Sequence, residues 1–262
     1  MKDVSFKYQT ELAFSSPASD HRFLLRILPR SDSRQRIRDL AWRIDPEPGP
    51  SVWRTVDGFG NEALSGHIDD PHEHFRFGIT GAARVSGDPH TMAGMDPPRA
   101  FLYSTELTRP QGGIADFYNA IERLAPCGTL DRIRYFSHAV HASLGYERGV
   151  TTNTTTAPEA FNGGAGVCQD YAHVLLALLR LDKTPCRYVA GLASDYGETH
   201  AWVEAWVDES WYGTDPTRDK SIDEGYIAIS RGRDFADCSI DRGIYKGACS
   251  GRQTISLSME IL

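Results

Sequence analysis

Gly163–Thr217 reads GGAGVCQDYAHVLLALLRLDKTPCRYVAGLASDYGETHAWVEAWVDESWYGTDPT, and three of its residues decide the fold. Glycines at 163, 164 and 166 interrupt the chain just before Cys168. From Cys168 to Leu181 the spacing of Val174, Leu175, Leu178, Leu179 and Leu181 predicts a helix with a wide apolar face, which makes it central and buried. His200 then opens a strand with two-residue alternation. His200, Trp202, Glu204 and Trp206 share one face, and the small apolar Ala201, Val203, Ala205 and Val207 share the other, which suits packing on a helix. Asp215 closes the following strand. If Asp208-Glu209 is a two-residue hairpin loop, Val207 pairs with Ser210 and His200 lies opposite Thr217. Asp215 is then the diagonal neighbour of His200 on one face, roughly 7–8 Å away between backbones.

Each residue alone has an ordinary explanation: a small buried thiol, a hydrogen-bonded histidine at a strand end, an aspartate that starts a turn before proline. Together they supply a nucleophile, a base and a group that orients the base, the minimum for covalent acyl transfer by a thiolate. A thiol at a helix N-terminus feels the positive end of the macrodipole. Such settings lower the free-cysteine value of about 8.5 to roughly 3.5–7.5. The preceding glycines leave room for a substrate backbone, and free N–H groups there can hold an oxyanion. Cys127, Cys186, Cys238 and Cys249 lack this setting and read as structural. Asp170 reads as a carboxylate placed for the helix dipole. Tyr146, Gln169 and Trp202 are candidates for the substrate wall or the oxyanion site.

Outward from this stretch, residues 1–86 read as short β-strands separated by turns about every ten residues: RFLLRILP, RIRDLAWRIDP, VWRTV and NEAL around Asp57-Gly58-Phe59-Gly60-Asn61, then HFRFGIT and ARVSG. Residues 87–113 are rich in turns and read as a linker. Ile114, Phe117, Tyr118, Ile121 and Leu124 have helical spacing, as do Leu130, Ile133, Phe136 and Val140. Ala157–Phe161 reads as a helical turn. RYVAGLA, THAWVEAWV, SWYGTDP and the tail TISLSMEIL read as strands. The expected fold is α+β: an N-terminal antiparallel β-sandwich domain over 1–95, then a catalytic core of helices packed on an antiparallel sheet over 96–262.

Composition excludes several classes. The 262 residues carry a formal charge of −7, and the arginine-rich run from Arg30 to Arg43 is broken by Asp32 and Asp39, so it reads as a solvated face rather than a nucleic-acid surface. The N-terminus MKDVSFKYQTELAF has no apolar signal core, and no stretch is long and apolar enough to span a membrane. Five cysteines without paired short spacing argue against a zinc ribbon or disulfide framework. The expectation is a cytoplasmic protein with reduced thiols and no cofactor or metal. His67, His72 and His74 read as solvent-facing, and Arg231, Arg233 and Asp234 in SRGRDFAD as residues that fix a loop by ion pairs.

GVCQDYAHVLLALLRLDKTPCRYVAG, HAWVEAW, GTDPT and GYIAISRGRDFADCSIDRGIYKG together resemble the bacterial transglutaminase-like family of the papain-like thiol superfamily. The first 86 residues, with LRILPR and DGFGN, resemble the β domain that precedes the core in those proteins. The resemblance implies a catalytic triad of Cys168 as thiolate nucleophile, His200 as acid/base and Asp215 as orienting carboxylate. It implies amide chemistry passing through a thioester, with a peptide or amide as substrate. Peptidase or amidase activity is the leading expectation. Protein-glutamine gamma-glutamyl transfer to an amine is the alternative, weakened by the lack of a spaced-carboxylate calcium loop and of the long extra domains of the animal crosslinking enzymes. A catalytically silent binding module is the third.

Overall fold

A computed structural model describes residues 1–48, 52–92, 97–194 and 197–262. Strands β1 (Lys2–Leu28), β2 (Gln35–Asp45), β3 (Trp53–Val56), β4 (Glu62–Ile68) and β5 (His72–Val85) form one antiparallel sheet in the order β2-β5-β1-β4-β3. β1 serves two layers. Its first half pairs with β5 from Lys2↔Val85 to Ala13↔His74, and the register shifts between Ala13 and Ala18. Its second half pairs with β4 from His21↔Ile68 to Leu25↔Leu64. Alternation along the strand buries Val4, Phe6 and Tyr8 in the first half and Phe23, Leu25 and Ile27 in the second. Phe23 and Phe75 meet between the two layers at 5.3 Å. The result is the expected antiparallel sandwich, with one strand common to both layers. In the DGFGN turn, Asp57 Oδ1 accepts from the N–H groups of Phe59 and Asn61, and Gly60 takes φ +83.

The remaining elements are β6 (His90–Met92), α1 (Gly113–Glu122), α2 (Thr129–Ser143), β7 (Gly145–Tyr146), α3 (Ala157–Gly163), β8 (Ala165–Gly166), α4 (Cys168–Leu181), β9 (Cys186–Ala193), β10 (Thr199–Val207), β11 (Ser210–Asp215), β12 (Lys220–Ser221), β13 (Tyr226–Gly232), α5 (Phe235–Cys238), β14 (Asp241–Lys246) and β15 (Gly251–Ile261). A second sheet runs β12-β11-β10-β9-β13, with β6 on β11. α4 contacts β9 and β10 as well as α1, α2 and α3, and every residue from Asp170 to Arg180 is buried. Burying a leucine stabilises by about 1.5–3 kcal/mol, so the leucines of α4 are a principal anchor of the core.

Two expectations about organisation are corrected. The tail is a strand, but β15 does not join the second sheet: it pairs with β1 from Val4↔Ile261 to Phe14↔Gly251. β14 pairs with the other half of β1, from Ser19↔Lys246 to Leu25↔Asp241. Alternation in TISLSMEIL specifies a strand without naming its partner, and both halves of β1 have an edge that β5 and β4 leave open. The units are therefore not consecutive: residues 241–261 complete the N-terminal sheet, and β6 in turn lies on the core sheet. Residues 93–96, which include the first two residues of the turn-rich MDPP stretch, lie outside the described residues.

The second correction concerns two residues of the Arg30–Arg43 run, which is solvated as expected at Arg30, Arg36, Arg38 and Arg43. Arg34 is 2% exposed and Gln35 1% exposed. Gln35 Nε2 donates to the Ala228 carbonyl, and its Oε1 accepts from the Ala228 N–H, both at 2.8 Å. A side-chain amide thus completes the backbone bonding of β13 as a neighbouring strand would. Asn61 bonds the Arg231 backbone in the same way, at 2.7 and 2.8 Å. Most buried apolar residues form one cluster that runs from Val4 to Ile240, and Val189, Ala193, Trp202, Ile222, Tyr226 and Ala228 form a second. Residues 97–262 expressed alone lose Gln35, Asn61 and the sheet that β14 and β15 need. That fragment is expected to aggregate or unfold, and a soluble fragment with a cooperative melt would contradict this account.

Candidate active site

α3 ends at Gly164, whose φ of +69 turns the chain out of the helix. Gly145↔Ala165 and Tyr146↔Gly166 pair in parallel, which aims the chain at α4. A Cβ on Gly166 would lie 2.5 Å from Asp170 Oδ2, so glycine is required there. Asp170 Oδ2 accepts from the Val167 N–H at 2.8 Å and the Thr151 hydroxyl at 2.7 Å. Asp170 therefore ties down the residue before the cysteine, close to its expected role; its burial raises its pKa. Cys168 is the first residue of α4 and half-buried.

The hairpin register is the one the alternation requires. Asp208 and Glu209 both have positive φ, and Val207 pairs with Ser210, Trp206 with Trp211 and Val203 with Thr214. Carried along the strands, this register makes Asp215 the diagonal neighbour of His200. Their side chains meet: His200 Nε2 lies 2.7 Å from Asp215 Oδ2, with both side chains fully shielded from solvent. The Cys168 side chain is a hydrogen-bond neighbour of the same imidazole. With Nε2 given to the carboxylate, Nδ1 is the nitrogen left for the thiol. Burial alone would lower the His200 pKa, but the hydrogen bonds to Asp215 and Cys168 outweigh it and push it up to about 9. Asp215 is also desolvated, yet its donors hold its carboxyl below the usual range.

Those donors include one that sequence reasoning missed. The Tyr226 hydroxyl donates to Asp215 Oδ2 at 2.7 Å. Oδ1 accepts from the backbone N–H groups of Thr217 at 2.9 Å and Arg218 at 3.3 Å. Tyr226 opens β13, within an apolar run, Tyr226-Ile227-Ala228-Ile229, that carries a strand signal. The run fixes a strand, but not that its first hydroxyl reaches Asp215.

The other candidates separate. Tyr146 lies in β7, 44% exposed, with its ring centroid 6.5 Å from that of Tyr171. Gln169 Nε2 donates to the Asn153 carbonyl at 3.4 Å. Trp202 is fully buried and packs edge-on against Tyr226 at 5.4 Å, so it forms the floor beneath the pair rather than a wall facing substrate. His72 is not solvent-facing: it is buried, with its Nε2 3.1 Å from His21 Nδ1. Among the described residues no group of three or more His, Cys, Asp or Glu side chains could hold a metal ion. The SRGRDFAD residues do fix a loop: Arg231 bonds Glu204 and Asp32, Arg233 bonds Asp237, and Asp234 caps α5. Burial raises the Cys186 thiol to about 11, and burial also holds the Cys238 thiol well above its ordinary value.

Residues 121–216 match the model of the transglutaminase-like superfamily core, and residues 4–84 match that of the bacterial transglutaminase-like N-terminal region. The chain belongs to the bacterial transglutaminase-like proteins. The two matches cover about two-thirds of this transglutaminase-like protein and meet the two sheets described above. It is similar, at 29% identity over 90% of this chain and 85% of the relative, to an uncharacterized protein of Mycobacterium tuberculosis. An uncharacterized Mycobacterium leprae protein is 26% identical over 92% of each chain. The fold is that of a "Putative Cysteine Protease" from Cytophaga hutchinsonii, with TM-score 0.80, 18% identity, and coverage of 100% of this chain and 92% of that one. No helix among the described residues is long and apolar enough to cross a membrane.

Proposed function

We propose that this transglutaminase-like protein is a cysteine peptidase or amidase with Cys168, His200 and Asp215 as its catalytic triad. The observation that carries the reading is the shielded His200–Asp215 pair, 2.7 Å apart, beside a thiol at the start of α4. His200 takes the Cys168 proton, and the thiolate attacks the carbonyl carbon of an amide. The first N–H groups of α4, which have no partner within the helix, face the developing oxyanion. His200 returns its proton to the leaving amine as the carbon–nitrogen bond breaks, which leaves a thioester. Water, deprotonated by His200, then releases the acid and regenerates the thiol. Asp215 keeps the imidazole oriented and stabilises its charged form. The substrate is a peptide or amide. Neither nucleic acid nor membrane is a partner in this reading, and the free thiols suit the reducing cytoplasm.

An amine in place of water at the last step would make the protein a glutamine-directed transferase. Incubating substrate peptides with a primary amine and weighing the products separates the two: acid product supports hydrolysis, and amine adduct in excess of acid overturns it. At pH 6 an ordinary exposed thiol is only roughly 0.3% thiolate. Iodoacetamide at that pH is therefore expected to label Cys168 ahead of the exposed Cys127, while the buried Cys186 and Cys238 stay unmodified. Turnover is expected to fall as pH rises through about 9, where His200 loses the proton owed to the leaving amine. Labelling that spares Cys168 would leave the binding-module reading.

A further inference from the structure

We propose that Tyr226 is a positioning residue for this site, and that the N-terminal β domain holds it there through Arg34 and Gln35. The inference rests on the triad reading and gives the β domain a part in it. Asp215 Oδ2 accepts two hydrogen bonds of 2.7 Å, from His200 and from Tyr226. Burial and the neighbouring Asp215 charge push the Tyr226 phenol far up, so it remains a donor at every working pH. Its oxygen also accepts from Arg218 at 3.3 Å. The carboxylate is thus held on both oxygens, from the turn after β11 and from β13, and cannot rotate away from His200 without breaking one of these bonds.

β13 is in turn gripped from the β domain. Arg34 Nη1 donates to the Tyr226 carbonyl at 2.9 Å, and its other terminal nitrogen bonds the Asp223 carbonyl. Gln35 bonds both backbone groups of Ala228, two residues on. Asp32 Oδ1 accepts from the Arg34 and Gln35 N–H groups and fixes the turn before β2 that presents them. The ionisable groups around Asp215 and Tyr226 are His200 on β10, Cys168 on α4, Arg218 in the turn, Lys220 on β12, Asp223, His141 on α2 and Arg34.

Tyr226→Phe keeps the ring that packs on Trp202 and removes only the donor. Asp215 then takes up a proton at a higher pH, and a neutral Asp215 no longer supports the imidazolium that balances the Cys168 thiolate. Two measurements on the full chain test this: Cys168 alkylation by iodoacetamide against pH, and the His200 ring resonances against pH by NMR. Both acid limbs are expected to move up by about one pH unit in Tyr226→Phe, with an unchanged circular dichroism spectrum. Gln35→Met, which leaves the hydroxyl in place, is expected to shift them the same way by less. The double variant should shift no further than Tyr226→Phe alone, because Gln35 acts through Tyr226. Limbs that stay put or move down in Tyr226→Phe overturn the positioning role. An additive double variant, or no shift in Gln35→Met, overturns the β-domain link. If wild-type Cys168 is not preferentially alkylated, the triad reading fails by itself; the His200 titration still reports whether Tyr226 governs Asp215.

Discussion

Cys168→Ala is expected to abolish turnover of any amide substrate while leaving the fold intact. Removing one sulfur from a half-buried helix start costs below about 1–2 kcal/mol of stability. The loss of activity is far larger, roughly 10⁴-fold or more, because no other group at the site can form the thioester. Cys127 is exposed in a loop and Cys249 lies beyond β14, while Cys186 and Cys238 are buried, so none takes over. His200→Ala should be nearly as damaging. Asp215→Asn should cost less, since it alters orientation and charge balance without removing a bond-forming atom. A peptide and amide library screen with Cys168→Ala as control, read beside circular dichroism, checks the ordering. Full activity in Cys168→Ala would sink the nucleophile assignment.

Glu204→Ala is expected to be the most destabilising single change near the site, although it touches no substrate. Glu204 is 0% exposed. Its Oε2 accepts from Arg187 Nε at 2.7 Å and Arg231 Nε at 3.0 Å, and Arg231 also reaches Asp32 at 2.9 Å. Burial alone would raise the carboxyl, but the two guanidinium groups bring it down to about 2. Arg187 is itself pulled down by burial, to about 10, so carboxylate and guanidinium are both charged at neutral pH. Removing the shared carboxylate leaves the partly buried Arg187 without its anionic partner and Arg231 with Asp32 alone, which costs about 3–5 kcal/mol and on the order of 10 °C in melting temperature. The depressed value also sets a pH dependence. The stabilisation is fully present above the unfolded carboxyl value of about 4.3 and is lost as pH falls through about 2. Melting curves of both proteins between pH 2 and 7 should converge at the acid end. A drop below 2 °C at pH 7 would show that the cations find water or other acceptors.

The Glu204 cluster also shows how far the sequence could be read. Alternation in THAWVEAWV set His200 and Glu204 on one face, and the Asp208-Glu209 turn placed Asp215 beside His200, because pleat and hairpin geometry act within about fifteen residues. Helix α4 was legible for the same reason: its period and the glycines before it are local. What local patterns do not encode is the partner across the fold. Arg34 and Gln35 sat in a run that reads as solvated, yet they bond β13, about 190 residues away. Tyr226 carried only a strand signal, and Trp202, on the same face as His200, turned out to be floor rather than wall. His72 read as solvent-facing because its partner, His21, is distant in sequence. β15 was recognised as a strand and given to the wrong sheet, since alternation specifies a face and not an edge.

That edge has a consequence for synthesis. Val4 pairs with Ile261, and the Leu262 N–H donates to the Asp3 carbonyl at 2.8 Å. One side of β1 finds β5 early, but the other side waits for a segment about 240 residues downstream. At translation rates of 5–20 residues per second, that is roughly 10–50 s with an open row of backbone donors and acceptors. The nascent chain therefore carries a sticky border until β15 has been made. Closing that border waits for β15, so this edge of the sheet can seal only after the segment that bears Cys168, His200 and Asp215 has been made.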